Sequence, residues 1–216
     1  NMDRRNFLFL TAASGGFLLS TPPILNAKEV NAYSKKRIPT KHYSADIIVA
    51  GGGLGGCATA IAACRNGLHV IMTEETDWIG GQVSQQGVPP DEHPWIESHG
   101  APLSYREFRR KVRDFYKRNY PLTPEAKKRE NLNPGDGSVS RLCHEPRIAV
   151  AVLIEMLSPY LSSGKLKILT EHKIIKADVD GDWVKAVEAA HTQTGDKVVL
   201  TAPYFVDATE CGDLLP

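Results

Sequence analysis

The chain has 216 residues, 26 Lys+Arg against 25 Asp+Glu, and a formal net charge of +1. Charged residues are 24% and apolar residues 42% of the whole. That balance excludes a disordered, collagenous or disulfide-framed chain and leaves room for one or two domains with a sizeable core. Near-neutrality gives no electrostatic case for nucleic acid or an anionic membrane as partner.

The first segment reads as an address. Arg4-Arg5 precede an apolar run from Phe7 to Leu19 that is broken by Ser14, Gly15 and Gly16. A membrane-spanning helix needs about 20 apolar residues, so this run is too short to span. A basic start, a short apolar stretch and then the small residue Ala27 match a secretory signal over residues 1–27. The paired arginines followed by Phe7-Leu8 resemble the twin-arginine export signal, which implies export machinery as a partner and a periplasmic or secreted protein. An uncleaved signal acting as a membrane anchor stays open. Without residues 1–27 the charges balance evenly, since Asp3, Arg4 and Arg5 go together. Residues 28–44, with Lys35, Lys36, Arg37 and Pro39, read as a polar linker.

Asp46-Ile47-Ile48-Val49-Ala50 is a buried strand by its β-branched run. It enters Gly51-Gly52-Gly53-Leu54-Gly55-Gly56, in which Gly51, Gly53 and Gly56 fit G-x-G-x-x-G. An alanine-rich helix follows and stops near Gly67. A second apolar run, Leu68–Met72, then leads to Glu74. Each part has a physical purpose in binding a dinucleotide. Gly51 permits the turn, Gly53 lets backbone approach a pyrophosphate, and Gly56 lets helix and strand pack closely. The helix N-terminus offers free N–H groups to the phosphates. An acid about 20 residues on accepts hydrogen bonds from the adenosine ribose. Cys57 and Cys64 fall on one face of the helix and read as small packing residues. None of the cysteines forms a C-x-x-C pair.

After Glu74 come Gly80-Gly81-Gln82 and a long irregular insertion at about 83–146. Within it Tyr105, Phe108, Val112, Phe115 and Tyr116 lie at helical spacing in a segment rich in Arg and Lys. This predicts an amphipathic helix over 105–118 with its aromatic face on the domain. His93 and His99 sit in a Pro-rich loop. Asp91-Glu92-His93 are adjacent and diverge, so no metal site is assigned. Arg141-Leu142-Cys143-His144 precedes a helix at about 147–161, and Leu166–Leu169 is a strand. Three alternating strands follow at about 172–180, 183–192 and 197–202. Asp180-Gly181-Asp182 and Thr194-Gly195-Asp196 supply the hairpin turns. Tyr204–Asp207 returns to a buried strand and runs into Ala208-Thr209-Glu210-Cys211-Gly212-Asp213.

This order resembles the FAD-binding half of the glutathione-reductase-like flavoproteins, in which a three-stranded meander replaces a crossover helix. It is closer still to the FAD-dependent oxidoreductase family that carries Gly-Gly after the ribose acid and Asp-Ala-Thr after the meander. The resemblance implies an α/β, Rossmann-like FAD-binding domain over 45–216, with a parallel sheet and a β-meander. It also implies that the fold is incomplete at Pro216, with a substrate domain and a last FAD-contacting segment still to follow. Gly51, Gly53, Gly55 and Gly56 would meet the pyrophosphate and Glu74 the adenosine ribose. Gly80, Gly81 and Gln82 would run towards the flavin, and Ala208 and Thr209 would lie beside the pyrophosphate. Relatives often carry Gly where this chain has Glu210. A carboxylate beside a diphosphate repels it, so the Glu210 side chain is expected to point elsewhere.

The activity implied is FAD-dependent transfer of hydride or electrons between a small organic substrate and the flavin. FAD is expected to be held non-covalently. Arg141 is the candidate clamp for a substrate anion and His144 the candidate proton donor, both expected nearer the flavin than the adenine. Pairing of Arg141 and Glu145 to cap the helix at Pro146 is the competing reading. Cys143 could be redox-active or could simply pack. An NAD(P)-dependent reductase and a non-catalytic FAD-fold binding protein remain open as alternatives.

Overall fold

The computed structural model describes residues 40–215. The signal read over 1–27 and most of the linker lie outside them. Two four-stranded sheets organise the described chain. The first is wholly parallel, in the order β4 (Leu166–Leu169), β3 (Val70–Thr73), β2 (Ile47–Ala50), β8 (Tyr204–Asp207). The second is the meander of β5 (His172–Asp180), β6 (Trp183–His191) and β7 (Lys197–Thr201), which pair antiparallel. Strand β1 (Lys41–Ser44) joins it parallel to β7.

Strand β1 corrects the expected linker over 28–44, because its last four residues are a strand. The segment carries no apolar run that would announce it. It is a short edge strand, mostly exposed, that pairs with backbone groups β7 would otherwise leave open. Tyr43 is its anchor, packing into the inter-sheet core beneath the Lys167 ammonium, which lies 4.0 Å from the ring centroid.

The central strands β2 and β3 are buried on both faces, whereas β4 and β8 at the edges are only partly buried, and the period of two sorts their residues. Val49, Val70 and Met72 face the helices, where they meet α1 (Leu54–Arg65) and α4 (Pro146–Ser162). Ile48, Ala50 and Ile71 face the meander, where they meet Ile174, Val187, Ala189, Val198 and Leu200. The result is three layers: helices, parallel sheet, meander. Helix α1 buries Cys57, Ala60, Ile61 and Cys64, and its small side chains let it lie close to the sheet. Both cysteines are free and buried, as their spacing predicted. Helix α4 starts with Pro146 at its first turn, where a missing N–H costs nothing, and buries Ile148, Ala149, Val152, Leu153 and Leu157.

The insertion between β3 and α4 carries α2 (Leu103–Asn119) and the short α3 (Pro124–Lys128). Helix α2 buries Phe108, Val112 and Tyr116, the expected aromatic face, but also Arg109 and Arg113. No helix among the described residues is long and apolar enough to cross a membrane.

Candidate functional site

In this sheet β3 lies on one side of β2 and β8 on the other, so the chain order reverses at β2. Ligands of open α/β sheets bind at such a switch point, beyond the carboxyl ends of the strands. Here those ends are Ala50-Gly51 of β2 and Asp207-Ala208 of β8, and the Ala208 N–H donates to the Ala50 carbonyl at 2.7 Å.

The crossing is tight enough to dictate glycine. Gly51 has φ +101°, and a Cβ there would stand 2.2 Å from the Ala208 carbonyl oxygen. A Cβ on Gly56 would stand 2.0 Å from the Gly51 carbonyl oxygen, so α1 can begin where it does only without a side chain. On Gly52 it would meet Glu74 at 2.8 Å. Gly55 is different, for nothing lies within 4 Å of a Cβ built on it. Helix α1 has Gly53 as its N-cap, with no side-chain cap and no acid in its first turn. Its first N–H groups and its dipole are left for an anion.

Glu74 is buried at the end of β3, next to this loop. Its Oε2 accepts from the Gly52 N–H at 3.1 Å, and its Oε1 accepts from the Thr76 N–H and hydroxyl at 2.9 and 2.8 Å. The carboxylate is thus fixed by three donors, while Oε2 keeps a lone pair for another. Thr76 is the orienting residue that sequence reasoning missed. Opposite, Asp207 accepts from the Thr209 N–H and hydroxyl through Oδ1 and from the Leu214 N–H through Oδ2. Burial would raise the Asp207 carboxyl, but these hydrogen bonds outweigh it and hold the group below the usual carboxylate range. Asp207 therefore shapes the turn that presents Ala208 and Thr209 to the cleft.

Gly80 and Gly81 lie against the glycine loop. The Gly80 N–H donates to the Gly52 carbonyl at 2.8 Å, and Gly80 bridges Gly53. A Cβ on Gly80 would collide with Ser84 and Leu153 at 2.7 and 2.8 Å. Gln82 is exposed just beyond and lines a second hollow with Leu54, Asp91, Tyr105 and Glu210. The structure thus brings Gly51, Gly53, Glu74, Ala208 and Thr209 onto one cleft, packs Gly56, Gly80 and Gly81 against its glycine loop, and places Gln82 in the neighbouring hollow, while Gly55 lines an apolar hollow with Cys57, Ala58 and Phe108.

Glu210 departs from expectation. Its side chain does not turn away: Oε1 lies 3.4 Å from a Cβ built on Gly53 and 2.9 Å from one built on Gly81. The Asp207 turn fixes the direction of the chain here, and that direction overrides the repulsion argument made from the sequence.

Arg141 and His144 are not among the residues lining the cleft. Arg141 lines a third cavity with Glu92, His93, Glu97 and Asn133, which includes none of the cleft glycines. The competing cap is also not formed as expected, because Glu145 pairs with Arg147 at 2.9 Å and accepts from the Tyr120 hydroxyl. Between the two hollows lies a buried ionic network. Arg109 binds Glu92 and Glu97, Arg113 binds Glu97 at 2.6 Å, and the Tyr105 hydroxyl donates to Glu92. Burial, then the bond to Glu92, pushes the Tyr105 phenol well above its ordinary value. Arg113 and Arg109 outweigh burial and hold Glu97 low. The sequence carried a signal for this network, since Arg109 and Arg113 are four apart and adjoin Phe108 and Val112 on the packed face.

His144 rests edge-on to Phe108. Its Nδ1 lies 3.1 Å from the Glu145 carbonyl oxygen, which can only accept, so Nδ1 carries the proton. Nε2 is then an acceptor, and it is buried with no partner among the described residues. Burial lowers the His144 imidazole from the ordinary 6.5, partly offset by the bond to Glu145. On acidification the unfolded chain therefore takes up the proton first. The stability due to this neutral ring is complete above about 6.5 and is lost progressively as pH falls below it. Urea unfolding should show a smaller loss between pH 7.5 and 5 for His144→Gln than for the parent; equal slopes would contradict the assignment.

The sequence model of the family described as FAD dependent oxidoreductase matches residues 46–216. No curated protein matches. Among solved structures, the Mycobacterium smegmatis Sdh1 complex in the apo form is 17% identical, with a TM-score of 0.48 over 78% of this chain and 34% of its own. The myxobacterial chondrochloren halogenase CndH, described as a variant of FAD-dependent halogenases, is 16% identical, with a TM-score of 0.49 over 77% and 37%. L-proline dehydrogenase from P. horikoshii is 14% identical, with a TM-score of 0.42 over 82% and 25%. This chain thus spans about a third or less of the length of each of the three. With the family match running from the first core strand through the meander to the Asp207 turn, the chain belongs to the FAD-dependent oxidoreductase family, and its cofactor is FAD.

Proposed function

We propose that the protein is a flavin enzyme, of the glutathione-reductase-like arrangement, that passes hydride or electrons between a small organic substrate and FAD. The observation that carries this reading is the cleft at the β2–β8 switch point, lined by Gly51, Gly53, Glu74, Ala208 and Thr209, with Glu210 bordering both it and the hollow of Gln82. Bound FAD would supply the redox chemistry at its flavin ring. The chain's own residues bind and orient. Gly51, Gly53, Gly55 and Gly56 with the α1 N-terminus would hold the diphosphate, and Ala208 and Thr209 would flank it. Glu74, held by Gly52 and Thr76, would accept from the adenosine ribose. Gly80, Gly81 and Gln82 would border the flavin side.

His144 is better suited to accept a proton than to donate one, because Nδ1–H is committed to the Glu145 carbonyl and burial keeps Nε2 unprotonated. Arg141 is retained as an anion clamp, acting from the Glu92–Asn133 cavity. The test is anaerobic reduction of the bound flavin by a panel of small organic donors, followed by absorbance. Reduction by at least one donor supports an enzyme. A flavin that no donor reduces points to the non-catalytic alternative. Alanine at Arg141 or His144 should slow flavin reduction about tenfold or more, within the range of general acid–base and charge contributions, and leave FAD content unchanged. Loss of FAD with no change in rate would show that both were misassigned.

The reading includes twin-arginine export through residues 1–27 to the periplasm or the medium. Arg4→Lys combined with Arg5→Lys should leave the protein in the cytoplasm. An unchanged exported yield would remove the twin-arginine assignment.

A further inference from the structure

Glu210 presents a chemical puzzle, because an exposed carboxylate points at the cradle for an anion. The order of groups along the cleft resolves it. Glu74 Oε2 lies 3.0 Å from a Cβ built on Gly52, and Glu210 Oε1 lies 3.4 Å from one built on the next residue, Gly53. The two carboxylates therefore stand at successive positions of the glycine loop. Glu210 is on the side of Gly81, where it also borders the hollow of Gln82 and Tyr105. FAD matches that spacing chemically. It has two runs of hydroxyl donors, the adenosine ribose and the ribityl chain, one on each side of its diphosphate.

We propose that Glu210 is the ribityl acceptor: its carboxylate takes hydrogen bonds from the hydroxyls on the flavin side of the diphosphate, as Glu74 does from the ribose on the adenine side. The inference rests on FAD lying in this cleft. Three observations support it. Glu74 accepts three hydrogen bonds from the protein, whereas the Glu210 carboxylate accepts none among the described residues. Its acceptor capacity is thus left for a ligand. Gly53 and Gly81 pack against each other beside it, so no side chain at either position covers the carboxylate. Finally, the uncapped N-terminus of α1 begins at Leu54, and its dipole offsets the cost of a second negative charge beside the phosphates.

The experiment strips the cofactor from the purified protein and measures rebinding by quenching of flavin fluorescence. Two compounds are used: FAD, and an FAD analogue whose ribityl chain lacks its hydroxyls. Glu210→Ala should weaken FAD binding about tenfold or more, the weight of one hydrogen bond to a charged acceptor. Glu210→Gln keeps an acceptor oxygen and should recover part of that loss. The parent should bind the analogue more weakly than FAD, and Glu210→Ala should bind the two alike. Unfolding midpoints of the stripped variants should match the parent, since the side chain is exposed and bonds to no donor among the described residues. Tighter FAD binding by both variants would overturn the proposal and show that Glu210 only repels the diphosphate. An equal penalty for the analogue in parent and Glu210→Ala would also overturn it. A parent that binds neither compound would bring down the FAD reading itself, and this proposal with it.

Discussion

Gly51→Ala and Gly56→Ala are expected to abolish FAD binding by breaking the fold, whereas Gly55→Ala is expected to fold at least as well as the parent. The added methyl of Gly51→Ala would sit 2.2 Å from the Ala208 carbonyl oxygen, in a backbone region that L-residues rarely adopt. That of Gly56→Ala would sit 2.0 Å from the Gly51 carbonyl oxygen. Neither obstacle is a flexible side chain; each is the backbone of the cleft itself. Relief must separate β2 from β8 or α1 from the loop, a loss of about 4 kcal/mol or more, at the extreme of single substitutions. Gly55 has open space around its missing Cβ. Alanine there should stabilise the first turn of α1 by roughly 0.5–1 kcal/mol. Under the proposed assignment of Gly55 to the diphosphate, Gly55→Ala should lose FAD affinity without losing stability. Urea unfolding of the stripped proteins, paired with FAD titration, separates these outcomes. A Gly51→Ala protein that folds and binds FAD like the parent would contradict the geometry.

Arg109→Leu should destabilise the protein by about 3–5 kcal/mol, the cost of leaving a buried charge without its partner. The Arg109 side chain is 3% exposed and its Glu92 partner 5%. One guanidinium nitrogen of Arg109 serves Glu92 and the other serves Glu97, so the fork holds two loop carboxylates to α2 at once. Arg109→Lys is therefore not conservative, because a single ammonium cannot reproduce that span. It should recover less than half of the loss. Adding Glu92→Gln to Arg109→Leu should restore part of the stability by removing the stranded charge. If Arg109→Leu unfolds at the parent's urea midpoint, the network contributes nothing.

These two regions differ in how far the sequence revealed them. The glycine loop was legible because its demands are local. A tight turn, a close approach and a helix start each require a missing Cβ, at fixed offsets within one strand–helix–strand unit. The meander was legible for a similar reason: period-two strands and Gly-Asp turns are short-range signals, and β5, β6 and β7 fall close to where those signals put them. The partly hidden parts depend on distant chain segments. Strand β1 has no apolar pattern and exists because β7 offers it an edge. Arg109 and Arg113 adjoin the packed face of α2 in the sequence, but their partners Glu92 and Glu97 come into view only when the 92–97 loop folds over them. Glu210 was judged by charge alone, while the Asp207 turn decides where it points. The cavity that Arg141 lines is assembled from Glu92, Glu97 and Asn133 of distant parts of the insertion, and nothing local to Arg141 announces those neighbours.

The central claim is that the cleft between Gly51–Gly56, Glu74 and Thr209 holds FAD. Its most direct test is to purify the protein natively, heat it, and identify the nucleotide released by absorbance and mass. FAD, freely released and in proportion to protein, is the predicted result. Release of NAD, or of no nucleotide from a folded protein, would contradict the account.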